Sequence, residues 1–147
     1  MLEKAIAIAV EAHRGQIDKA GKPYILHPMR VMLAGKNQDE MICGILHDVI
    51  EDTPVSIDML AQEGFTKTVL DALLLLTHDR SIPYRSYIEA IPPNPLAVQV
   101  KLYDLHDNLN RDRLGTLTLE DERRMDKYKK SQEYLLQFLD TPNGHVI

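Results

Sequence analysis

A histidine followed directly by an aspartate is the first chemically suggestive feature of the chain. His47 and Asp48 end an apolar stretch, and two further carboxylates, Glu51 and Asp52, follow close behind. Imidazole nitrogen and carboxylate oxygen together suit a divalent cation such as Mn²⁺, Fe²⁺ or Zn²⁺. Because residues four apart share a helical face, an acid at this distance can reach whatever the histidine binds. A His-Asp pair alone is weak support for a metal site, so further ligands are needed.

Two other segments contain candidates for those ligands. His27 precedes Pro28, which favours extended geometry at the histidine and can open a helix. Asp104 lies late in a largely apolar stretch, with Asn108 four residues further along the same helical face. A carboxylate on such a helix is costly to bury unless it is paired or binds a metal. The alternatives for Asp104 are exposure to solvent and an ion pair with Lys101.

The elements that must position these residues are all predicted to be helices, because apolar residues recur at helical spacing between glycine and proline breaks. Asp39 is the predicted cap of the helix that carries His47, and that helix is expected to end between Glu51 and Pro54. The other helices are predicted over 2–13, 29–34, 56–64, 66–77, 84–91, 96–110 and 118–139. The predicted fold class is all-α: one helical-bundle domain over residues 1–140 and a C-terminal tail over 141–147.

Composition narrows the class of protein. The chain has 147 residues, of which 44% are hydrophobic and 27% charged, as in a soluble globular domain. The single Cys43 excludes an internal disulfide and favours a reducing compartment, so a cytoplasmic location is expected. The sequence predicts no membrane-spanning segment and no signal peptide. The net charge of −5 argues against general nucleic-acid binding.

Charge is distributed unevenly along the chain. Residues 1–36 carry six basic and three acidic side chains, whereas residues 39–79 carry nine acidic side chains and Lys67 alone. An acidic zone next to a basic zone suits a metal site beside an anionic ligand. A solvated acidic face would explain many of these carboxylates, but not the cluster at 48–52.

Four segments together resemble the His-Asp (HD) superfamily of metal phosphohydrolases. Within it, the chain is similar to the hydrolase domain of RelA/SpoT-type alarmone enzymes and to the stand-alone small alarmone hydrolases. The segments occur in the family's order and are Ala12-His-Arg-Gly-Gln16, Pro23-Tyr-Ile-Leu-His-Pro28, Ile45-Leu-His-Asp-Val-Ile-Glu-Asp-Thr53, and Val100-Lys-Leu-Tyr-Asp104 with Asn108. Each segment alone is modest support, but four in series at sensible spacing are strong support.

The resemblance implies hydrolysis of the 3′-pyrophosphate of ppGpp or pppGpp, giving GDP or GTP and pyrophosphate. It implies a manganese-dependent HD hydrolase domain whose partner is a small nucleotide and which could form a homo-oligomer. It assigns three groups of residues: metal ligands His27, His47, Asp48 and Asp104; catalytic carboxylates Glu51 and Asp52; and substrate contacts Lys19 and Asn108. A chain that ends soon after the hydrolase region is not expected to synthesise alarmone.

The implied residues fit the implied chemistry. Hydrolysis of a phosphate ester needs a nucleophile that is available at neutral pH, and a bound metal lowers the pKa of water and polarises phosphoryl oxygens. Two histidines and two aspartates leave room for water and substrate around a metal that prefers six ligands. Glu51 is a candidate base, because neighbouring carboxylates should raise its proton affinity.

One departure from the family pattern concerns base specificity. Asp18 stands where family members usually carry an arginine that packs on guanine, and an anion there removes this contact and repels phosphate. Two alternatives therefore stay open: an HD phosphohydrolase that acts on another nucleotide, in the manner of a 5′-nucleotidase, and a catalytically silent HD binding module.

Overall fold

The computed structural model describes residues 1–110 and 115–139, and its regular elements there are helices, which confirms the all-α fold class. The only extended pairing among these residues is an isolated antiparallel bridge between Ile17 and Pro23. The helices are α1 (Leu2–Ala12), α2 (Leu26–Ala34), α3 (Gln38–Leu46), α4 (Val49–Asp52), α5 (Ile57–Gln62), α6 (Lys67–Leu76), α7 (Tyr84–Glu89), α8 (Pro95–Asn108) and α9 (Leu119–Leu136). The predicted tail over 141–147 lies outside the described residues.

Helix α3 is the centre of the fold. It packs against α1, α2, α6 and α8, and Cys43, Ile45 and Leu46 on it are fully buried. Burial and the nearby acids Asp39 and Glu40 raise the pKa of the Cys43 thiol to about 12, so this cysteine acts as a core residue. The apolar pattern of residues 41–46 therefore fills the core around which the other helices lie.

Gly44 allows α2 and α3 to approach closely. A Cβ atom at this position would lie 3.0 Å from both Cα and N of Met32 and 3.1 Å from the carbonyl carbon of Val31. No larger residue fits without moving the α2 backbone, since ordinary van der Waals contacts begin near 3.4 Å. This contact brings the start of α2, which carries His27, next to the end of α3, which precedes His47.

The prediction of one continuous helix from Asp39 to between Glu51 and Pro54 was wrong. Asn37 caps α3 by accepting a hydrogen bond from the Glu40 N–H, and α3 then ends at Leu46. In a continuous helix the Gly44 carbonyl would bond the N–H of residue 48. Instead the His47 ring Nδ1 bonds this carbonyl at 2.7 Å, and Asp48, at φ −104° and ψ −1°, precedes the separate helix α4.

Other helix ends follow local signals. Thr118 and Asp121 form a capping box at the start of α9, and the Asn94 side chain caps α8. Helix α2 begins at Leu26, three residues earlier than predicted, so that His27 lies in its first turn. Pro28 is tolerated there because the first N–H groups of a helix have no intrahelical partner. In the part of the chain that the structure describes, no helix has the length and hydropathy needed to span a membrane.

Candidate active site

The four predicted metal ligands converge from three parts of the chain. His27 lies at the start of α2, His47 and Asp48 at the break between α3 and α4, and Asp104 on α8. Both histidines are 2% exposed and Asp104 is 4% exposed. The two imidazole rings meet edge to face with their centroids 5.1 Å apart. The helix packing thus brings together residues that are distant in sequence.

The ligand atoms of this group lie within range of one cation. One nitrogen from each of His27 and His47 and one oxygen of Asp104 all lie within 4.8 Å of one another. His27 Nε2 is 2.9 Å and His47 Nε2 3.3 Å from Asp104 Oδ1. Asp48 Oδ2 is 3.0 Å from His47 Nε2 and 3.8 Å from His27 Nε2. All four predicted ligands therefore share one small volume.

The polar atoms in this volume fit a metal. Because His47 Nδ1 bonds the Gly44 carbonyl, which only accepts, Nδ1 carries the proton. In a neutral ring this leaves a lone pair on Nε2. That Nε2 is buried and has no hydrogen-bond partner, although carboxylate oxygens lie close to it. Nitrogen and oxygen lone pairs that face each other need a proton or a cation between them. The donor set, two imidazoles and two carboxylates, suits a divalent ion.

The pKa directions agree with a mutually charged cluster. Burial alone would lower the pKa values of His27 and His47, but the carboxylates around them raise both. Burial alone would raise the pKa of Asp104, but Lys101 and His47 hold it well below its usual value. For Asp48, the opposing effect of burial is overcome mainly by His47, and its pKa falls to about 2. The aspartates are thus ready to act as anionic ligands.

A second layer of residues orients the ligands. Asp107 Oδ2 lies 2.6 Å from His27 Nδ1, and Arg30 holds the other oxygen of Asp107 at 2.8 Å. This arrangement fixes the histidine ring so that Nε2 faces the cluster. Sequence analysis missed Asp107, although its position three residues after Asp104 on one helix was an available signal.

Asp104 and Asp48 are held by further hydrogen bonds. Lys101 Nζ donates to Asp104 Oδ2 at 2.8 Å, and Asn108 Nδ2 donates to Asp104 Oδ1 at 3.0 Å. The pair with Lys101, one of the alternatives for Asp104, forms without bringing Asp104 to the surface. The Tyr24 hydroxyl donates to Asp48. Tyr24 is a further site residue that sequence analysis did not single out.

The two predicted catalytic carboxylates differ in their surroundings. Glu51 accepts hydrogen bonds from the His78 N–H at 2.8 Å and from Arg80 at 3.2 Å, so its carboxylate is already engaged. The Asp52 residue as a whole is exposed to solvent, whereas its carboxyl group is half-buried. This burial, together with the charges of Asp48 and Glu51, raises the pKa of Asp52 to about 6. Gln16 fixes the Asp52 backbone by donating to its carbonyl at 3.2 Å.

Asp48 and Asp104 of this cluster line a cavity of about 550 Å³ whose wall carries both acidic and basic side chains. The acids are Asp48, Glu51, Asp52 and Asp104, and the cationic and aromatic residues are Arg80, Lys101, Arg124, Lys127, Tyr84, Tyr87 and Tyr128. Burial and the neighbouring cations lower the pKa of Lys127, whose ammonium lies 4.3 Å above the Tyr84 ring. Within residues 1–110 and 115–139 no carboxylate forms an ion pair with Lys127, and a positive charge in such a position attracts an anionic ligand.

The two predicted substrate contacts differ in their position relative to this cavity. Asn108 lines both it and a smaller neighbouring cavity. Lys19 lines only the smaller one and makes an ion pair with Asp121 at the start of α9. Asp18 lies on the same wall, where its Oδ1 accepts hydrogen bonds from the N–H groups of Ala20 and Lys22.

The fold and this site define a class, a helical domain of the RelA/SpoT hydrolase type, and comparisons with known proteins agree. No protein-family model matches the chain. It is 34% identical over 136 residues, 82% of this chain, to a guanosine-3′,5′-bis(diphosphate) 3′-pyrophosphohydrolase of Haemophilus influenzae. It is 32% identical over 140 residues to the bifunctional (p)ppGpp synthase/hydrolase SpoT of Escherichia coli. These matches cover 20% and 19% of the two relatives, so the chain spans about a fifth of their length.

A solved structure shares the fold. It is described as a metazoan ortholog of SpoT that hydrolyzes ppGpp and plays a role in starvation responses, and it superposes with a TM-score of 0.75. The match covers 93% of this chain and 84% of that one at 24% sequence identity. The chain is therefore a homologue of the RelA/SpoT-type hydrolases, as the four sequence segments predicted.

Proposed function

We propose that this domain is a manganese-dependent phosphohydrolase that removes the 3′-pyrophosphate of guanosine-3′,5′-bis(diphosphate) or its 5′-triphosphate analogue. The observation that carries the proposal is the convergence of His27, His47, Asp48 and Asp104 next to a cavity that is also lined by basic and aromatic residues. The printed activity of the relatives is consistent with it. A homo-oligomeric state and a cytoplasmic location stay predictions.

The cationic residues that line the cavity support a phosphorylated ligand. A nucleotide with two diphosphate groups carries a dense negative charge that can bind Lys127 and the guanidinium donors of Arg80 and Arg124 that their carboxylate contacts leave over. Tyr84 and Tyr128 add aromatic surface against which a ribose or base can pack. Nucleotide phosphates can thus contact these cations while one phosphorus atom faces Asp48 and Asp104.

His27, His47, Asp48 and Asp104 are the residues that would hold the metal. When bound, the ion supplies a water of lowered pKa and charge stabilisation at phosphoryl oxygens. Asp52 is the proposed proton acceptor, because its carboxyl has a pKa of about 6 and none of the residues that the structure describes donates a hydrogen bond to it. Glu51 has the proposed role of holding the segment of His78 and Arg80, which forms the rim of the cavity.

In the proposed reaction, the oxygen of water forms a bond to phosphorus as its proton passes to Asp52. The bond between that phosphorus and the ribose 3′-oxygen breaks, and the 3′-oxygen then takes a proton from the protonated Asp52. The products are GDP and pyrophosphate. Lys101 donates no proton in this scheme, since its ammonium is committed to Asp104, where it keeps the ligand in position.

The test is a nucleotide panel with Mn²⁺, Mg²⁺ and Zn²⁺ in which pyrophosphate and orthophosphate are measured separately. We expect GDP and pyrophosphate from ppGpp in equal amounts, with Mn²⁺ the most effective metal. Orthophosphate from nucleoside monophosphates, with no release from ppGpp, would show the alternative nucleotidase activity. Binding of ppGpp without release of any product would show a silent binding module.

A matched pair of variants ties the activity to the cluster. Asp104→Asn removes the charge of a buried ligand, whereas Asp71→Asn makes the same change in an exposed ion pair with Lys67. We expect Asp104→Asn to abolish Mn²⁺ binding in calorimetry together with turnover, and Asp71→Asn to preserve both. Full turnover in Asp104→Asn would contradict the proposed site.

A further inference from the structure

The smaller cavity beside the active site has the features of a nucleobase pocket. Its volume is about 260 Å³, and it shares Tyr24, Asn108, Arg124 and Tyr128 with the larger cavity. A ligand can therefore extend from one to the other without leaving the protein surface. We call this smaller space the side cavity.

The electrostatics of the side cavity disfavour a phosphate. Asp18 and Asp121 lie on its wall, and the ammonium of Lys19 is neutralised by its ion pair with Asp121. Arg124 also has an Asp121 oxygen 3.8 Å away. A bound nucleotide would thus place its phosphates in the larger cavity and its uncharged base here, where Tyr128 supplies aromatic surface.

The loop that carries Asp18 is held in shape by several contacts. Asp18 N–H donates to the Lys22 carbonyl at 2.7 Å, and the bridge between Ile17 and Pro23 closes the base of the loop. Asp18 Oδ1 accepts from two backbone N–H groups within the loop, at 2.9 Å each. No described residue donates a hydrogen bond to the other carboxylate oxygen, Oδ2. Asp18 lines the side cavity and therefore keeps an acceptor for a ligand there.

We infer that Asp18 determines base specificity by accepting hydrogen bonds from the Watson–Crick edge of guanine. This inference rests on the proposed nucleotide hydrolase function. Guanine presents two adjacent donors at that edge, N1–H and the exocyclic amino group, whereas adenine presents one amino donor beside the N1 lone pair. A carboxylate is an acceptor only, so it pairs with guanine and repels the adenine N1. Asp18 therefore favours guanine by hydrogen bonding at the position where stacking by an arginine was expected.

Asp18→Asn is the test variant, because asparagine keeps an Oδ1 for the two loop N–H groups and replaces Oδ2 by an amide donor. We measure kcat/KM for ppGpp and for its adenine counterpart, adenosine-3′,5′-bis(diphosphate). The wild type should prefer guanine, and Asp18→Asn should lower the guanine-to-adenine ratio by about 10- to 100-fold. An unchanged ratio would overturn the role of Asp18. The expected change is in KM more than kcat, since the base is remote from the reacting phosphorus.

Two further measurements separate this inference from the proposed function. Calorimetric binding of GDP and ADP with Mn²⁺ reports the base preference without turnover. The protein could bind GDP selectively, and lose that selectivity in Asp18→Asn, without hydrolysing ppGpp. Such a result would overturn the proposed hydrolase activity but support base recognition by Asp18. Asp18→Ser, whose shorter hydroxyl can also bond the loop, should lose guanine preference without gaining adenine preference. Retained preference in Asp18→Ser would contradict the inference.

Discussion

Gly44 lies where α2 and α3 come closest, so Gly44→Ala tests how the fold sets the distance between the two histidines. The added Cβ would lie 3.0 Å from backbone atoms of Met32, and the neighbouring backbone must move by a few tenths of an ångström to accept it. Forcing an extra methyl group into a packed interface costs about 1–3 kcal/mol of unfolding free energy. His27 and His47 flank this contact on the two helices.

The same backbone displacement should also weaken metal binding, in addition to lowering the free energy of unfolding. Ligand distances in a metal site are held to within about 0.2 Å, which is no more than the shift that alanine requires. We therefore expect Gly44→Ala to weaken Mn²⁺ binding by about 10-fold or more, as changes in the residues that orient metal ligands do. Calorimetric titration with Mn²⁺ and urea unfolding of the metal-free protein measure the two effects separately.

Ile91→Val is the control for this experiment. Ile91 is fully buried beyond α7, and its replacement by valine should cost about 0.5–1.5 kcal/mol without moving either histidine. We expect Mn²⁺ affinity to be unchanged in this variant. If Gly44→Ala lost stability but bound Mn²⁺ as tightly as the wild type, the contact between α2 and α3 would not control the site.

Three more predictions concern the ionised groups. Asp52→Asn should lower kcat by about 10²- to 10⁴-fold, with Mn²⁺ binding unchanged in calorimetry. In the metal-free wild type, NMR titration should show the Asp52 carboxyl with a pKa of about 6 and ionised above that pH. A titration midpoint near 3.9 would contradict the reasoning. Lys101→Met removes the cation beside buried Asp104, so urea unfolding of the metal-free protein should show a loss of about 3 kcal/mol; a loss below measurement error would refute this. The raised pKa values of His27 and His47 mean that their carboxylate pairs stabilise the metal-free protein fully below about pH 6.5. This contribution is lost as pH rises through the folded-state pKa values, so the free energy of unfolding of the metal-free protein should decrease with rising pH. Saturating Mn²⁺ should remove this decrease. An equal dependence of the unfolding free energy on pH with and without the metal would contradict the prediction.

Local sequence signals determined much of the fold. Thr118 with Asp121 begins α9 and Pro95 begins α8 because capping and proline geometry act within a few residues. The apolar stretch of α3 likewise predicted the core. The helix break at His47 was missed, because it depends on the histidine ring bonding the Gly44 carbonyl in competition with the helix, and spacing does not reveal that competition.

The sequence by itself also determined which residues could bind a metal, since imidazole and carboxylate chemistry is local and their order matched a known pattern. Only the tertiary structure decided that they meet: His27 and Asp104 are 77 residues apart and approach to 2.9 Å because α2, α3 and α8 pack together. The same packing recruited Asp107 and Lys101 around the ligands and gave Glu51 and Asp52 different partners. Electrostatic environment depends on distance through space, so a carboxylate whose type is fixed by sequence acquires its role only in the folded chain.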